Sequence, residues 1–355
     1  MIVQFPLTEA VTVETHAYKF IHIENPEEIF NMKFDVIVGN PPYQLSDGGF
    51  GRSASPIYQK FVQQAKKLNP RFLTMIIPSR WFAGGKGLND FRNEMLNDNR
   101  IRKIVDFEDA SECFPGVDIA GGICYFLWER DSKGLCEVVN MHNGSDIPST
   151  RPLNEFKTFI RHSQAVPIIR KVLAKKEKNM SEQVSVSKPF GLRTFVRPNK
   201  SGDITLRWQK GEGPFRRKDV TAGVEMIDQW KVITSYVGYD HAGNPGKDGK
   251  RRVFSKIDIL PPGTICTETY LVVGAFKKKT HALNLISYMK TRFFRFLVAQ
   301  FVYSHHITKD SYSFVPLLEM STNWRDEVLY ERYGLTDDEI AFIESKIRPM
   351  ELINE

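Results

Sequence analysis

The chain has 355 residues, 41% of them hydrophobic and 26% charged, enough material for two ordinary globular domains, each with its own core. No apolar run approaches the roughly 18–20 residues that span a bilayer. The opening MIVQFPLTEAV has no basic flank before its short apolar patch, so membrane and secretory classes are set aside and a cytoplasmic protein is expected. Cys113, Cys124, Cys136 and Cys266 form no Cys-x-x-Cys pair, which argues for free thiols and against a zinc site, and no metal is expected. The net charge of +7 is unevenly spread. Residues 1–150 carry 15 Lys and Arg against 19 Asp and Glu, residues 151–310 carry 30 against 13, and residues 311–355 carry 4 against 10. One contiguous block thus holds the whole positive excess. Such a block suits phosphate contact, with a merely solvated basic surface as the plain alternative.

In chain order, the first part reads as α/β. Phe34–Val38 is a short apolar strand ending in the turn Gly39-Asn40-Pro41-Pro42. From Pro56 to Leu68, Ile57, Phe61, Ala65 and Leu68 recur at helical spacing, and Asn69-Pro70 stops that helix. Phe72–Ile77 comes next as a buried strand, then Leu88–Leu96 as a helix, and Ile101–Phe107 and Ile123–Trp128 as further strands. Strands alternating with helices argue for a layered, largely parallel sheet, although the pattern leaves the direction of the last two strands open. Around Asn140–Arg151 the composition turns polar. The expected domains are therefore residues 1–145, a basic second domain over 146–320, and a helical tail over 321–355. Within the second, Leu192–Val196, Thr205–Trp208, Trp230–Tyr236 and Thr264–Val273 lean to β structure, Tyr239–Arg252 is a flexible basic loop, and Ala282–Val302 is helical. In the tail, Thr336 and Glu339 form a capping box ahead of a last helix.

The chemistry concentrates in Asn40-Pro41-Pro42-Tyr43, directly after a strand, where open α/β sheets place their ligands. An exocyclic amine on a nucleic-acid base is a poor nucleophile, because its lone pair is delocalised into the ring. The Asn40 side-chain oxygen and the Pro41 carbonyl can accept its two N–H protons and aim the lone pair at a methyl donor. The two prolines fix φ and so hold that carbonyl still. Tyr43 offers a flat face on which an extruded base can stack.

Taken together with the strands and helices after it, this motif resembles the gamma-class adenine-specific DNA methyltransferases of restriction–modification systems, the TaqI-like enzymes. The resemblance runs from Phe34 to about Trp128 and includes Phe72–Trp81 (FLTMIIPSRW) and Asp118–Trp128 (DIAGGICYFLW). Cys113-Phe114-Pro115 matches a family segment whose aromatic residue presses on the other face of the extruded adenine, which would make Phe114 the partner of Tyr43; the alternative is a core Phe beside a Pro turn. The resemblance implies a partial Rossmann-like methyltransferase sheet followed by a basic mixed α/β DNA target-recognition domain. It also implies an enzyme that moves a methyl group from S-adenosylmethionine to N6 of adenine in double-stranded DNA. In the basic block, Lys247, Lys250, Arg251, Arg252, Lys277, Lys278 and Lys279 are the expected phosphate contacts. His305-His306 is expected to serve loop packing rather than DNA.

The family binds S-adenosylmethionine through a strand, a Gly-rich turn and a helix placed well before the catalytic motif. Here 39 residues precede Asn40, and the first glycine of the chain is Gly39. No cofactor-binding residues are assigned. A split enzyme completed by a second polypeptide, a truncated reading frame and a decayed remnant each account for the gap, and the rival of another class is a DNA-binding specificity subunit without catalysis. A half-sheet would expose an unpaired apolar edge.

Overall fold

The computed structural model describes residues 16–30, 32–44, 55–82, 84–85, 87–117, 119, 121–142, 145–240, 245–246, 248–302 and 306–350. The chain divides into two compact units, Met1–Ser163 and Gln164–Glu355.

In the first unit the strands are β1 (Val36–Gly39), β2 (Phe72–Pro78), β3 (Ile101–Phe107), β4 (Ile123–Glu129), β5 (Cys136–His142) and β6 (Ser145–Arg151), and the helices are α1 (His16–His22), α2 (Tyr58–Lys67) and α3 (Asn89–Asn97). α2 buries Tyr58, Phe61, Val62 and Ala65, one face of a 3.6-residue period. It ends where Asn69 takes a left-handed φ of +50° ahead of Pro70. The sheet order is β1-β2-β4-β3-β5-β6. β1 runs parallel to β2 and β3 parallel to β5, while β4 is antiparallel to both β2 and β3. The sheet is therefore mixed rather than largely parallel. Hydrophobic periodicity reports which residues are buried and carries no direction. The core is built from α2, α3 and the inner strands, with Trp81, Phe91, Phe126 and Trp128 at its centre.

The expected boundary at 145/146 needs correction. β6 pairs antiparallel with β5 along their whole length, so the polar stretch closes the first sheet instead of leaving it. The chain stays bound beyond β6. The Asn140 amide donates to Arg161 O at 2.7 Å, and the Thr158 hydroxyl donates to Phe82 O at 2.9 Å. In the sequence, Asn-Gly is a dipeptide favoured between paired strands, and Asn143-Gly144 lies outside the described residues.

The second unit holds two three-stranded sheets. β9 (Trp230–Ser235) lies between β10 (Ile257–Leu260) and β12 (Tyr270–Phe276), and β7 (Ile204–Trp208) lies between β11 (Thr264–Cys266) and β8 (Gly211–Phe215). Around them are α4 (Ala165–Ala174), α5 (Lys279–Lys290), α6 (Arg292–Ala299), α7 (Asp326–Arg332) and α8 (Asp337–Lys346). The single helix expected over Ala282–Val302 is two. Thr291 is extended, with ψ of 150°, and its hydroxyl caps α6 by accepting from Phe294 N at 3.1 Å. The residues expected as a separate tail belong to this unit. The Asp326 carboxylate accepts from Arg292 N and Phe293 N at 2.9 and 2.8 Å, and Glu339 receives Lys171 Nζ at 2.6 Å. The Thr336–Glu339 capping box is present at the start of α8.

Candidate functional site

β1 is an outer strand. Ile37 packs on the core, while Val36 and Val38 are 53% and 71% exposed. At its carboxyl end, beside Met75 of β2, the chain enters Asn40-Pro41-Pro42-Tyr43. Asn40 is exposed, Pro41 is buried, and Pro42 and Tyr43 are half-buried. The turn is fixed behind the motif as well. Tyr43 O accepts from Ile57 N at 3.2 Å, and Gln44 bridges Pro56 in antiparallel fashion. The Tyr43 carbonyl thus has a defined position, and Asn40 is exposed.

Tyr43 packs its ring on the first core, and its hydroxyl is buried without a hydrogen-bond partner. Burial pushes its pKa up to about 12, helped by the thiols of Cys124 and Cys113. The phenol is therefore neutral at ordinary pH and is not an acid–base group. Phe114 N donates to Ala110 O at 2.8 Å, and the ring is half-buried, outside the set of buried core side chains. Asp118 and Ala120, just beyond it, lie outside the described residues.

At the same edge of the sheet, near the end of β3, lies a buried polar group that the sequence did not announce. Asp106, near the end of β3, receives Arg161 Nε at 2.5 Å, Arg161 Nη2 at 2.8 Å and the Ser79 hydroxyl at 2.8 Å. Arg161 Nη2 also donates to Phe107 O at 3.2 Å. Ser79 N donates to Gly122 O at 3.0 Å. Gly122 is at φ +75°, and a Cβ there would fall 2.1 Å from Phe107 O, so only glycine fits. One fork-to-fork ion pair thereby ties the ends of β2 and β3 to the start of β4. Arg161 and Asp106 stand 55 residues apart, and no local pattern links them.

Among the described residues ahead of β1 there is a helix and one 3-10 turn (Pro26–Ile29), with no strand and no glycine. Those residues do not form a strand, Gly-rich turn and helix, and they do not fit a cradle for S-adenosylmethionine. Cys124, Cys136 and Cys266 are buried and Cys113 half-buried, all as free thiols.

In the second unit, the expected phosphate contacts separate into two kinds. Lys277, Lys278 and Lys279 are exposed at the start of α5, with Lys279 Nζ 5.3 Å from the Trp230 ring centroid. Arg251 is only 12% exposed. It pairs with Asp240 and donates to Ala299 O and Val302 O at 3.0 and 2.9 Å. Its guanidinium is used by the fold. Arg252 is half-buried over the Tyr239 ring at 4.7 Å, and Lys250 is half-buried. Lys247 lies outside the described residues. The described part of the loop expected to be flexible is tied down, because Arg251 bridges Ile347 and Arg348 Nη2 reaches Asp248 at 2.8 Å. His306 is exposed, with its ring tilted against that of Tyr236 at 4.6 Å between centroids, and His305 lies outside the described residues.

Residues 4–114 match the Eco57I restriction-modification methylase family. The chain is 42% identical over 136 residues to an uncharacterized adenine-specific methylase of Mycoplasma pneumoniae, over 35% of this chain and 32% of that protein. It thus spans about a third of the length of this relative. The type IIL restriction-modification enzyme MmeI, solved in complex with DNA, aligns over 83% of this chain and 48% of its own, with 8% identity and a TM-score of 0.47. The type IIG restriction endonuclease BpuSI aligns over 92% and 50%, with 12% identity and a TM-score of 0.35. The Asn-Pro-Pro-Tyr turn lies within the matched residues 4–114.

Proposed function

We propose that this chain supplies the base-holding half of a DNA adenine-N6 methyltransferase of a restriction–modification system. The observation that carries the reading is the turn at the end of β1, where an exposed Asn40 follows a strand and precedes a buried, φ-fixed proline. The Asn40 side-chain oxygen and the Pro41 carbonyl accept the two protons of the adenine amine. Stripped of its delocalisation, the nitrogen presents a lone pair. Tyr43 stacks on the extruded base, and Phe114, which is half-buried, faces it from the other side. S-adenosylmethionine supplies the methyl group when bound, and its cradle is assigned to a second polypeptide or to residues beyond those described. The Asp106–Arg161 pair keeps the ends of β2 and β3 fixed at the same edge of the sheet. The basic second unit binds duplex DNA, with Lys277, Lys278 and Lys279 on phosphates and Lys250 and Arg252 as further contacts.

The test is the product. The protein, purified from its native host so that any partner comes with it, is incubated with labelled S-adenosylmethionine and mixed-sequence duplex DNA. The digest is then separated by mass spectrometry. N6-methyladenine is the expected nucleoside. N4-methylcytosine would reassign the base, and DNA binding without any methylated nucleoside would favour a specificity subunit instead.

A further inference from the structure

Phe195 is 74% exposed, the most exposed large apolar side chain among the described residues. It does not stand on a loose loop. Val196 N donates to Arg193 O at 3.1 Å, closing a turn with Thr194 and Phe195 at its apex. Glu268 clamps one side, with its backbone N donating to Leu192 O at 2.9 Å and its carboxylate accepting from Thr194 N at 3.1 Å. Arg197 clamps the other. Its Nη1 donates to Thr194 O at 2.7 Å and to Val196 O at 3.1 Å, and its guanidinium lies 4.3 Å over the Trp208 ring. Leu192 anchors the base of the turn in the core. The expected β piece over Leu192–Val196 is thus a rigid turn that holds a phenyl ring out into water.

The surroundings select a partner. Residues 186–200 contain Lys188, Arg193, Arg197 and Lys200 and no acidic residue. The nearby carboxylate of Glu268 is occupied by the turn itself. A rigid aromatic ring flanked by cations is complementary to a stack of bases flanked by phosphates. Apolar wedges of this kind enter base steps and unstack them, while neighbouring cations hold the backbone.

We propose that the Arg193–Arg197 turn is a wedge that inserts Phe195 into the base stack of duplex DNA, with Arg193 on an adjacent phosphate. The proposal rests on DNA as the partner of the second unit. An inserted ring would loosen the duplex at the step it enters, and it would help set which sequences deform at low cost.

The test uses the full chain and a short mixed-sequence duplex, with binding followed by fluorescence anisotropy across a range of salt. Phe195→Ala is expected to weaken binding about 5- to 100-fold, the loss of one base stack, with an unchanged salt slope because no phosphate contact is removed. Arg193→Ala is expected to lower the slope by about 0.9. Phe195→Trp is expected to keep its affinity, and the added indole emission should be quenched by DNA. Thermal melting should not distinguish Phe195→Ala from wild type, because the ring buries little. Equal DNA binding by wild type and Phe195→Ala overturns the wedge and leaves DNA binding by the second unit standing. Loss of self-association in Phe195→Ala with unchanged DNA binding also overturns it, making the turn a contact between copies. Absence of duplex binding by the wild-type chain overturns both readings.

Discussion

Both units commit an arginine to the fold, and the second also presents a run of exposed lysines. In the first, the consequential arginine is inside: Arg161 is buried against Asp106, at the same edge of the sheet as the exposed Asn40. In the second, the exposed lysines at 277–279 lie in the same unit as Arg251, an arginine that the fold consumes. A four-residue motif with two prolines fixes its own backbone, so its chemistry can be read directly. A run of charge does not state which members are free. The contrast yields tests that separate a cation holding the fold from a cation offered to a ligand.

The largest effect is expected inside the first unit. Arg161→Met leaves the Asp106 carboxylate buried with only the Ser79 hydroxyl, and should cost about 3–5 kcal/mol. Urea unfolding of the full chain measures it. Adding Asp106→Leu should recover most of the loss, since removing both charges also removes the desolvation penalty. A single-variant loss under about 1 kcal/mol would mean that the pair does not hold the site edge.

In the second unit the comparison is between Arg251 and Lys277. Arg251→Ala strips Ala299 O and Val302 O of their donor and should destabilise the unit by about 1–3 kcal/mol, with no change in the salt slope of DNA binding. Lys277→Ala should leave the melting temperature alone and reduce that slope by about 0.9. The reverse pattern would place Arg251 on DNA.

A smaller, pH-dependent effect is expected at Asp98. Burial acts to raise its pKa, but Arg100, Lys66 and the Trp128 indole N–H, at 2.9 Å, outweigh it and hold the carboxyl below the usual range. A depressed carboxylate contributes stability above its unfolded value, near 3.9, and loses it as pH falls toward the folded value. Asp98→Asn should therefore be less stable than wild type at neutral pH, with the gap narrowing below about pH 4. A gap that stays constant down to about pH 2 would contradict the assignment of this shift.

Much of the first unit was legible because apolar periodicity and turn residues agree there. The strand at 72–77, the helix ended by Asn69-Pro70 and the motif at 40–43 all stand where the residues indicate. β6 was missed because Ser145–Arg151 is polar, and pairing, not hydrophobicity, makes it a strand. The Asp106–Arg161 pair joins residues too far apart for any window. In the second unit, Leu192–Val196 looked β-prone by composition, whereas Glu268 and Arg197 bend it into a turn. The α5–α6 break depended on one threonine cap inside an apolar run.

The central claim is that Asn40 accepts the amine of an extruded adenine. Its most direct test is the rate of N6-methyladenine formation by Asn40→Ala, in the complex as purified from the host, measured beside DNA affinity. The expected loss is on the order of 10²-fold or more, as when a pre-organised polar partner of the reacting group is removed, with affinity for DNA nearly unchanged. Near-normal formation of N6-methyladenine by Asn40→Ala would contradict it.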